Sequence, residues 1–243
     1  MHEVRKLLKA LKTVEPYPSG VVPVPELIAG TAFFPGGSGI WNPCQARSWP
    51  DMPIEGVMVL GHDFHSETAY HKSRQSGSEV KGNATWNNLL KLLDEVGITK
   101  EVCFFTNSYM GLRVGSKAMG KFPGASDAGF VDRCRAFFLL QLKAQRPRIV
   151  LTLGSWVPAF IAPLSYKLKH WSGVKSFTEI DSSKPWVKNV VFSQTDFYVD
   201  VIALTHPCLR SSNVHRRRYK TFVGHEAELK MIKDAMKRTN LTD

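Results

Sequence analysis

Four short apolar runs, each ending in a polar or glycine-containing turn, predict the main strands of this chain. They cover residues 54–60, 101–106, 148–153 and 199–205. Parallel strands that are buried on both faces show such continuous hydrophobicity and deliver functional groups at their carboxyl ends. Apolar positions at helical spacing lie between the runs and predict helices. These helices cover residues 2–12, 85–97, 127–145 and 224–238.

The alternation of strands and helices over the whole length indicates an α/β protein. We expect a three-layer α/β/α sandwich with a central, mostly parallel four-stranded sheet. No repeat or linker divides the chain, so one domain should span residues 1–243, with the N-terminal helix and the Pro- and Gly-rich arm up to residue 53 packed on it. The remaining segments are a turn-like stretch (66–82), a glycine-rich loop (111–126) and a loop with one or two short strands, best placed at 190–192.

The composition is that of an ordinary globular protein, with 43% hydrophobic and 22% charged residues. Lys and Arg total 32 against 21 Asp and Glu, a net charge of +11. This excess favours nucleic acid as a partner, although an enzyme of small anionic metabolites could be equally basic. No apolar run reaches the ~20 residues of a membrane span, and the first residues do not form a secretory signal. We therefore expect a location in the cytoplasm or nucleus, without secretion and without a membrane partner. We also expect a monomer.

No CxxC pair occurs among the cysteines, which are Cys44, Cys103, Cys134 and Cys208. Cys103 falls in a predicted strand and Cys134 in a predicted helix, so we expect buried, reduced thiols rather than disulfides or a zinc site. His62 and His65 have a spacing that suits a metal, but no third ligand is clustered with them. We expect no metal.

Polar side chains with catalytic potential end three of the four predicted strands. Asp63 follows the first strand, Asn107 the second and His206 the fourth. Parallel strands end at one edge of a sheet, so these groups should meet there. A carboxylate can orient water or stabilise a cation, an amide matches the edge of a pyrimidine, and an imidazole can donate to an oxygen that gains negative charge. Each residue alone could equally cap a turn or fill a structural position.

An arginine-rich loop follows His206 and should emerge beside this edge. Its apolar first residue suits insertion into a base stack, and its basic and hydroxyl groups suit phosphates, although a solvated basic face is the alternative. The residues that we expect to bind DNA there are Leu209, Arg210, Ser211, Arg216, Arg217, Arg218 and Lys220.

Taken together and in this order, the strand ends resemble the motifs of the uracil-DNA glycosylase superfamily, with a pattern closest to its thermophilic-type branch. The resemblance extends over residues 54–235. The segments that carry it are Gly61-His62-Asp63-Phe64-His65, Thr106-Asn107, the Arg-Pro-Arg-x-x-x-x-Leu-Gly pattern at 146–154, and His206-Pro207-Cys208. It implies a DNA repair enzyme that flips a uracil or modified pyrimidine out of DNA, hydrolyses its N-glycosidic bond and leaves an abasic site.

The resemblance also implies a role for each residue of the site. Asp63 would position or activate water and stabilise the developing sugar cation. Asn107 would read the base edge, and His206 would hydrogen-bond the base O2. Leu209 and Arg210 would occupy the vacated stack.

Some positions depart from the family pattern. Phe64 replaces the motif proline, and His65 stands where the family blocks the thymine methyl. We expect His62, Phe64 and His65 to line the base site, with Phe64 or Trp86 as the stacking platform. The iron–sulfur cysteines of the thermophilic-type branch have no matching set, so we expect no cluster and no other cofactor. A covalent DNA-trapping variant would need a histidine after the His-Pro motif, where His215 is only loosely placed.

The altered turn leaves the target base open between uracil and a bulkier modified pyrimidine, the latter in defence against foreign phage DNA. Two other classes also remain open. A catalytically silent nucleic-acid-binding relative would keep the basic loop yet tolerate the loss of Asp63. A hydrolase of nucleotides or small anions is disfavoured by the lack of a GxxxxGK[ST] loop.

Overall fold

The computed structural model describes residues 3–24, 52–76, 83–117 and 119–241. The strands are β1 (Val21–Val22), β2 (Val57–Gly61), β3 (Cys103–Asn107), β4 (Leu112–Arg113), β5 (Ile149–Leu153), β6 (Trp186–Val190), β7 (Val199–Leu204), β8 (Arg218–Tyr219) and β9 (Phe222–Val223). The α-helices are α1 (Glu3–Ala10), α2 (Glu67–Ser76), α3 (Ala84–Glu95), α4 (Ala128–Gln145), α5 (Trp156–Ile161), α6 (Phe177–Ser183), α7 (Arg210–Asn213) and α8 (Gly224–Thr239).

The central sheet has five strands in the order β3-β2-β5-β7-β6. The first four are parallel, which confirms the predicted mixed α/β class and the four predicted strands. The strand count of four is wrong, because β6 adds an antiparallel edge strand beside β7. Its burial is irregular, since Lys188 and Asn189 are both exposed and the pairing shifts before Val190. This irregularity hides the alternation by which an edge strand is normally found.

Alternate residues of the central strands face two separate apolar clusters. Met58 and Leu60 pack in a cluster with residues of α1, α4 and α5. Val57 and Val59 pack in a second cluster with residues of α3 and α8. Helices therefore cover both faces of the sheet, and all residues of β2 are buried. Fully burying one such side chain stabilises the fold by about 1.5–3 kcal/mol.

Local signals explain where the long helices begin and end. Asp127 caps α4 as predicted, because its side chain accepts a hydrogen bond from the backbone of Phe130 at 2.8 Å. Asn83 caps α3, so this helix begins one residue before the predicted Thr85. Gly97, with a φ of 77°, follows the end of α3 as expected of a helix terminator.

Helix α2 was not predicted, and the expectation of a turn-like stretch over 66–82 is wrong for its first part. The helix is polar on most of its surface and lacks a clear apolar stripe. Its first turn is held by the glycine-rich loop: Thr68 Oγ1 donates to the carbonyl of Gly115 at 3.0 Å, and the Gly115 amide donates to Glu67 at 2.9 Å. These contacts join residues that are far apart in the sequence, so no local sequence pattern predicts this helix.

The expected N-terminal arm lies mainly outside the described residues, and Cys44 lies there too. Its first part is fixed to the domain by Arg133 of α4, whose guanidinium donates to the carbonyls of Val14 at 2.9 Å and Pro16 at 2.6 Å. Cys103 and Cys134 are buried free thiols, as predicted.

A buried ion network joins α8 to the end of β7. The carboxylate of Glu228 on α8 is buried and accepts hydrogen bonds from the guanidinium groups of Arg210 and Arg217. The same carboxylate accepts a hydrogen bond from the Thr205 amide at 2.7 Å. The residue that follows Thr205 is His206, so this contact fixes the exit of β7.

Arg217 completes the network from the opposite side. It is 0% exposed and donates from Nε to both carboxylate oxygens of Asp181 at 3.1 Å. Its Nη2 also donates to the Ala203 carbonyl at 2.8 Å. Because all these charges are desolvated, each depends on the others for compensation.

Replacing Arg217 with Met should lower the free energy of unfolding by about 3–5 kcal/mol, because Glu228 and Asp181 would lose a buried partner. The matched control is Arg216→Met, an exposed position where we expect a change within about 0.5 kcal/mol. Urea denaturation of both variants measures the difference. Equal, small effects would show that the network does not stabilise the fold.

Candidate functional site

The carboxyl ends of the parallel strands bring the predicted polar residues to one edge of the sheet. Asn107 ends β3 and lies in register with Gly61, the last residue of β2. His62 and Asp63 continue from β2, and His206 follows β7. The charges of His62 and Asp63 both shift the pKa of His206, so the groups from β2 and β7 are electrostatic neighbours.

The side chain of Asn107 is buried without a hydrogen-bond partner. The residue is 1% exposed, and both its amide nitrogen and its amide oxygen lack a partner among the described residues. Leaving a buried polar group unpaired costs about 1–3 kcal/mol. A ligand that offers one donor and one acceptor would satisfy both atoms, although each of them is closed to solvent in this structure.

The carboxylate of Asp63, in contrast, is fully occupied. Oδ1 accepts from the His65 amide at 2.9 Å and from Arg113 Nε at 3.4 Å. Oδ2 accepts from Arg113 Nη2 and from His62 Nδ1, both at 2.8 Å. Burial alone raises the pKa of Asp63, but the hydrogen bonds from His62 and Arg113 outweigh it and lower this pKa to about 2. Asp63 is thus a permanent anion that also caps the turn after β2.

Arg113 is a site residue that the sequence did not reveal. It is buried, and its Nη atoms donate to the carbonyls of Met119 at 3.3 Å, Gly120 at 2.8 Å and Lys121 at 3.2 Å. One guanidinium therefore ties the glycine-rich loop to Asp63. A single arginine inside such a loop carries no spacing signal, because its partner lies in another segment of the chain.

His62 is oriented by Asp63. Its Nδ1 lies 2.8 Å from Oδ2 of the carboxylate and donates to it. The described residues offer Nε2 no hydrogen-bond partner. The ring lies 4.7 Å from the ring of Trp156 and 5.2 Å from that of Tyr109, centre to centre. Aromatic packing and the carboxylate together fix the direction of Nε2.

The turn that carries His206 is held from two sides. Asn88 of α3 donates from Nδ2 to the carbonyl of Pro207 at 2.9 Å. Gly154, at the end of β5, has a φ of 92°, and a Cβ built there would lie 3.4 Å from the Cβ of His206. A side chain at position 154 would therefore strain the backbone, while its Cβ would make only an ordinary van der Waals contact with His206.

The imidazole of His206 is kept neutral at neutral pH. Burial lowers the pKa of His206, the charge of His62 lowers it further, and Asp63 raises it in part. The Cys208 sulfur lies 3.1 Å from Nδ1. A neutral imidazole can donate a hydrogen bond without adding a full charge to the site.

The structure corrects the expected stacking platform. Trp86 is buried in the core, with its ring 5.0 Å from that of Phe105, so its expected role in base binding is wrong. Phe64 is half-buried against the apolar cluster on the other face and stays a prediction, as does the exposed His65. Trp156, which the sequence analysis missed, is 49% exposed and contacts His62. The sequence offered one signal for Trp156 as a site residue: it is an aromatic residue two positions after Gly154, which follows the last residue of β5.

The arginine-rich loop only partly matches its expected role. Arg210 and Arg217 are wrong as DNA-binding residues, because both are buried and paired with Glu228. The remaining residues are exposed and stay predictions: Leu209, Ser211, Arg216, Arg218 and Lys220. Lys220 also forms an ion pair with Asp234 at 2.7 Å.

No known protein family matches this chain, and a search of curated proteins finds no match. Of the helices in the described ranges, none is both long enough and apolar enough to cross a membrane. Within the same residues, no group of three or more His, Cys, Asp or Glu side chains is arranged to hold a metal ion.

Replacing Asp63 with Asn should destabilise the fold by about 2 kcal/mol at pH 7, because the folded-state pKa is about 2 and the ordinary value is 3.8. A carboxyl group whose pKa is lowered by folding stabilises the folded state at pH values above the pKa that the group has in the unfolded chain. This contribution should therefore disappear as the pH falls from 4 towards 2.

Urea denaturation across this pH range compares the variant with Asp132→Asn, which removes a carboxylate that is 73% exposed and paired with Arg135. The control should change stability by about 0–1 kcal/mol. A constant difference between wild type and Asp63→Asn from pH 7 to pH 3 would contradict the ion pair.

Proposed function

We propose that this protein is a DNA glycosylase that holds an extruded pyrimidine at the carboxyl edge of its sheet and hydrolyses the N-glycosidic bond. The observation that carries the proposal is the buried, unpaired amide of Asn107 at the same edge as a neutral His206. The family resemblance of the strand ends and the net charge of +11 support DNA as the partner. The protein would act on DNA in the cytoplasm or nucleus.

Base recognition would use the amide of Asn107. Its oxygen can accept from N3–H of uracil while its nitrogen donates to O4, which satisfies both buried groups at once. A base inside a duplex does not present this edge, since it is paired, so the nucleotide must leave the stack. Trp156, exposed beside His62, offers a face against which the extruded base can pack.

His206 would stabilise the leaving base. As the bond between C1′ and N1 breaks, the bonding electrons move to the base and negative charge accumulates on O2. The neutral imidazole donates a hydrogen bond to this oxygen and so lowers the energy of the departing anion. Positive charge develops on the sugar at the same time, and the ion pair with Arg113 leaves Asp63 little net charge with which to stabilise it.

The water molecule would be activated by His62 rather than by Asp63 directly. All accepting positions of Asp63 are filled, whereas Nε2 of His62 has a free lone pair. Water forms its bond to C1′ and gives a proton to Nε2, and Asp63 stabilises the resulting imidazolium. Asp63 is in this account a positioning residue for His62.

One observation favours the silent nucleic-acid-binding alternative. The ion pair between Arg113 and Asp63 neutralises the charge that would face the sugar cation. The proposal is tested by incubating the protein with single-stranded and duplex oligonucleotides that contain uracil, thymine or 5-substituted pyrimidines. Alkali then cleaves the strand at abasic sites. Cleavage at one pyrimidine class supports a glycosylase, whereas binding without cleavage at any base supports the silent alternative.

Asn107→Asp should reduce excision of uracil by about 10- to 100-fold, because the donor to O4 is lost within a buried site. The alkali assay measures the rate with uracil and cytosine, and preference should move away from uracil. Asn213→Asp, in the arginine-rich loop, is the matched control and should leave the preference unchanged. Unchanged preference in Asn107→Asp would show that another group reads the base.

His62→Ala should lower kcat by about 10²- to 10⁴-fold through loss of the general base, while DNA affinity changes little. His71→Ala removes an exposed imidazole from α2 and serves as the control. Single-turnover excision and fluorescence anisotropy separate the two quantities. A full rate in His62→Ala would exclude this residue as the base.

A further inference from the structure

A basic groove lies outside the candidate site, between the edge strand β6 and the 3-10 helix Tyr166–Trp171. Its volume is about 770 Å³. The residues that give it its chemistry, here called the lysine groove, are Tyr166, Lys167, Lys169, His170, Lys184 and Lys188. The charged and aromatic side chains among them are exposed. The groove therefore combines four cationic groups with one accessible aromatic ring.

The positive charge of the lysine groove is not neutralised by the elements around it. In the described part of the chain, the four lysines form no ion pair with a carboxylate. Asp181 of α6 is already paired with Arg217, and Asp200 of β7 with Arg238. The pKa of His170 is lowered first by burial and then by the charge of Lys184. Like charges held this close favour an anionic partner, which would relieve their repulsion.

Buried contacts hold the walls of the groove in place. The indole nitrogen of Trp171 donates to the carbonyl of Lys184 at 3.0 Å, which joins the two walls. The amide of Ala203 on β7 donates to the carbonyl of Pro185 at 2.9 Å. The ammonium group of Lys188 lies 4.3 Å from the centre of the Trp186 ring. The lysines therefore project from a fixed surface rather than from a loose loop.

Tyr166 distinguishes this surface from a general basic patch. The residue is 89% exposed. An accessible ring beside a cationic groove is the combination that holds unpaired bases by stacking while the cations follow the phosphates. The bases of a duplex are already stacked on one another and leave no face for this ring.

We propose that the lysine groove binds a single-stranded segment of nucleic acid. Tyr166 stacks on one base, and the lysines contact the phosphates on either side. Ala203, which bonds to Pro185, lies three residues before His206, so the start of β6 lies beside the carboxyl end of β7. A strand that leaves the site could continue into the groove, and only this last step rests on the proposed function.

The experiment measures binding of a fluorescent oligodeoxyadenylate, longer than the ~4–16 nucleotides of a typical single-strand site, by anisotropy at several salt concentrations. This probe holds no pyrimidine, so the result does not depend on excision. The test variant replaces Lys167, Lys169, Lys184 and Lys188 with Gln. The control replaces the exposed Lys9, Lys12, Lys233 and Lys237 with Gln, which removes the same charge.

The groove variant should reduce the slope of log affinity against log salt by about 0.7 for each lysine that contacts a phosphate. Tyr166→Ala should weaken binding about fivefold or more without changing this slope, because stacking carries no charge. Duplex of the same length should bind less tightly to the wild type and should not respond to Tyr166→Ala.

Equal loss of slope in the groove and control variants would overturn the proposal, because binding would then follow net charge alone. Full affinity in Tyr166→Ala would also overturn it. An oligoriboadenylate of equal length identifies the source of the strand: tighter binding of RNA through the same residues keeps the groove but argues for RNA as its ligand. Absence of excision in the alkali assay, with groove binding intact, would remove the proposed function alone.

Discussion

The position of the His206 turn depends on the carboxylate of Glu228. This buried group accepts from the Thr205 amide and from two arginines, so the end of β7 is fixed to the C-terminal helix. A carboxylate at this depth is tolerated only with full compensation. Arg210 and Arg217 compensate the charge of Glu228, so their guanidinium groups are buried in this network and do not face DNA.

The candidate site combines one satisfied and one unsatisfied buried polar group. Asp63 has every accepting position filled, and its contact with Nδ1 fixes the His62 ring. Asn107 has no partner, which is unfavourable in the free protein and favourable once a ligand pairs with it. The first group provides a fixed geometry, and in the proposed function the second would provide selectivity for a complementary base edge.

Sequence alone predicted the parallel core because its strands are continuous apolar runs with polar ends. The same topology explains why Asp63, Asn107 and His206 were expected at one edge. Edge strand β6 lies at Trp186–Val190 rather than at the expected 190–192, because its burial does not alternate regularly. Helix α2 was missed because its stability comes from contacts with a distant loop. Periodicity along the chain predicts an element only when that element buries a regular set of residues. The irregular burial of β6 and the long-range contacts of α2 leave no such pattern.

The site residues that sequence could not identify depend on the direction of single side chains. Arg216 and Arg217 are adjacent and chemically identical, yet one is exposed and the other is buried. Arg113 reaches Asp63 from the end of β4, 50 residues further along the chain. Trp86 has the helical spacing of a core residue and lies in the core, whereas Trp156 follows a strand end and is exposed. The order of strands in the sequence therefore predicts the edge of the sheet, whereas only the three-dimensional packing shows which side chains lie at that edge.

The most direct test of the central claim is nuclear magnetic resonance of the Asn107 side-chain amide during titration with free uracil. The account predicts saturable shifts of this amide and of the His206 ring, with loss of the response in Asn107→Ala. Shifts that map to other residues, or an unchanged Asn107 amide in a protein that excises uracil, would contradict base recognition at this edge.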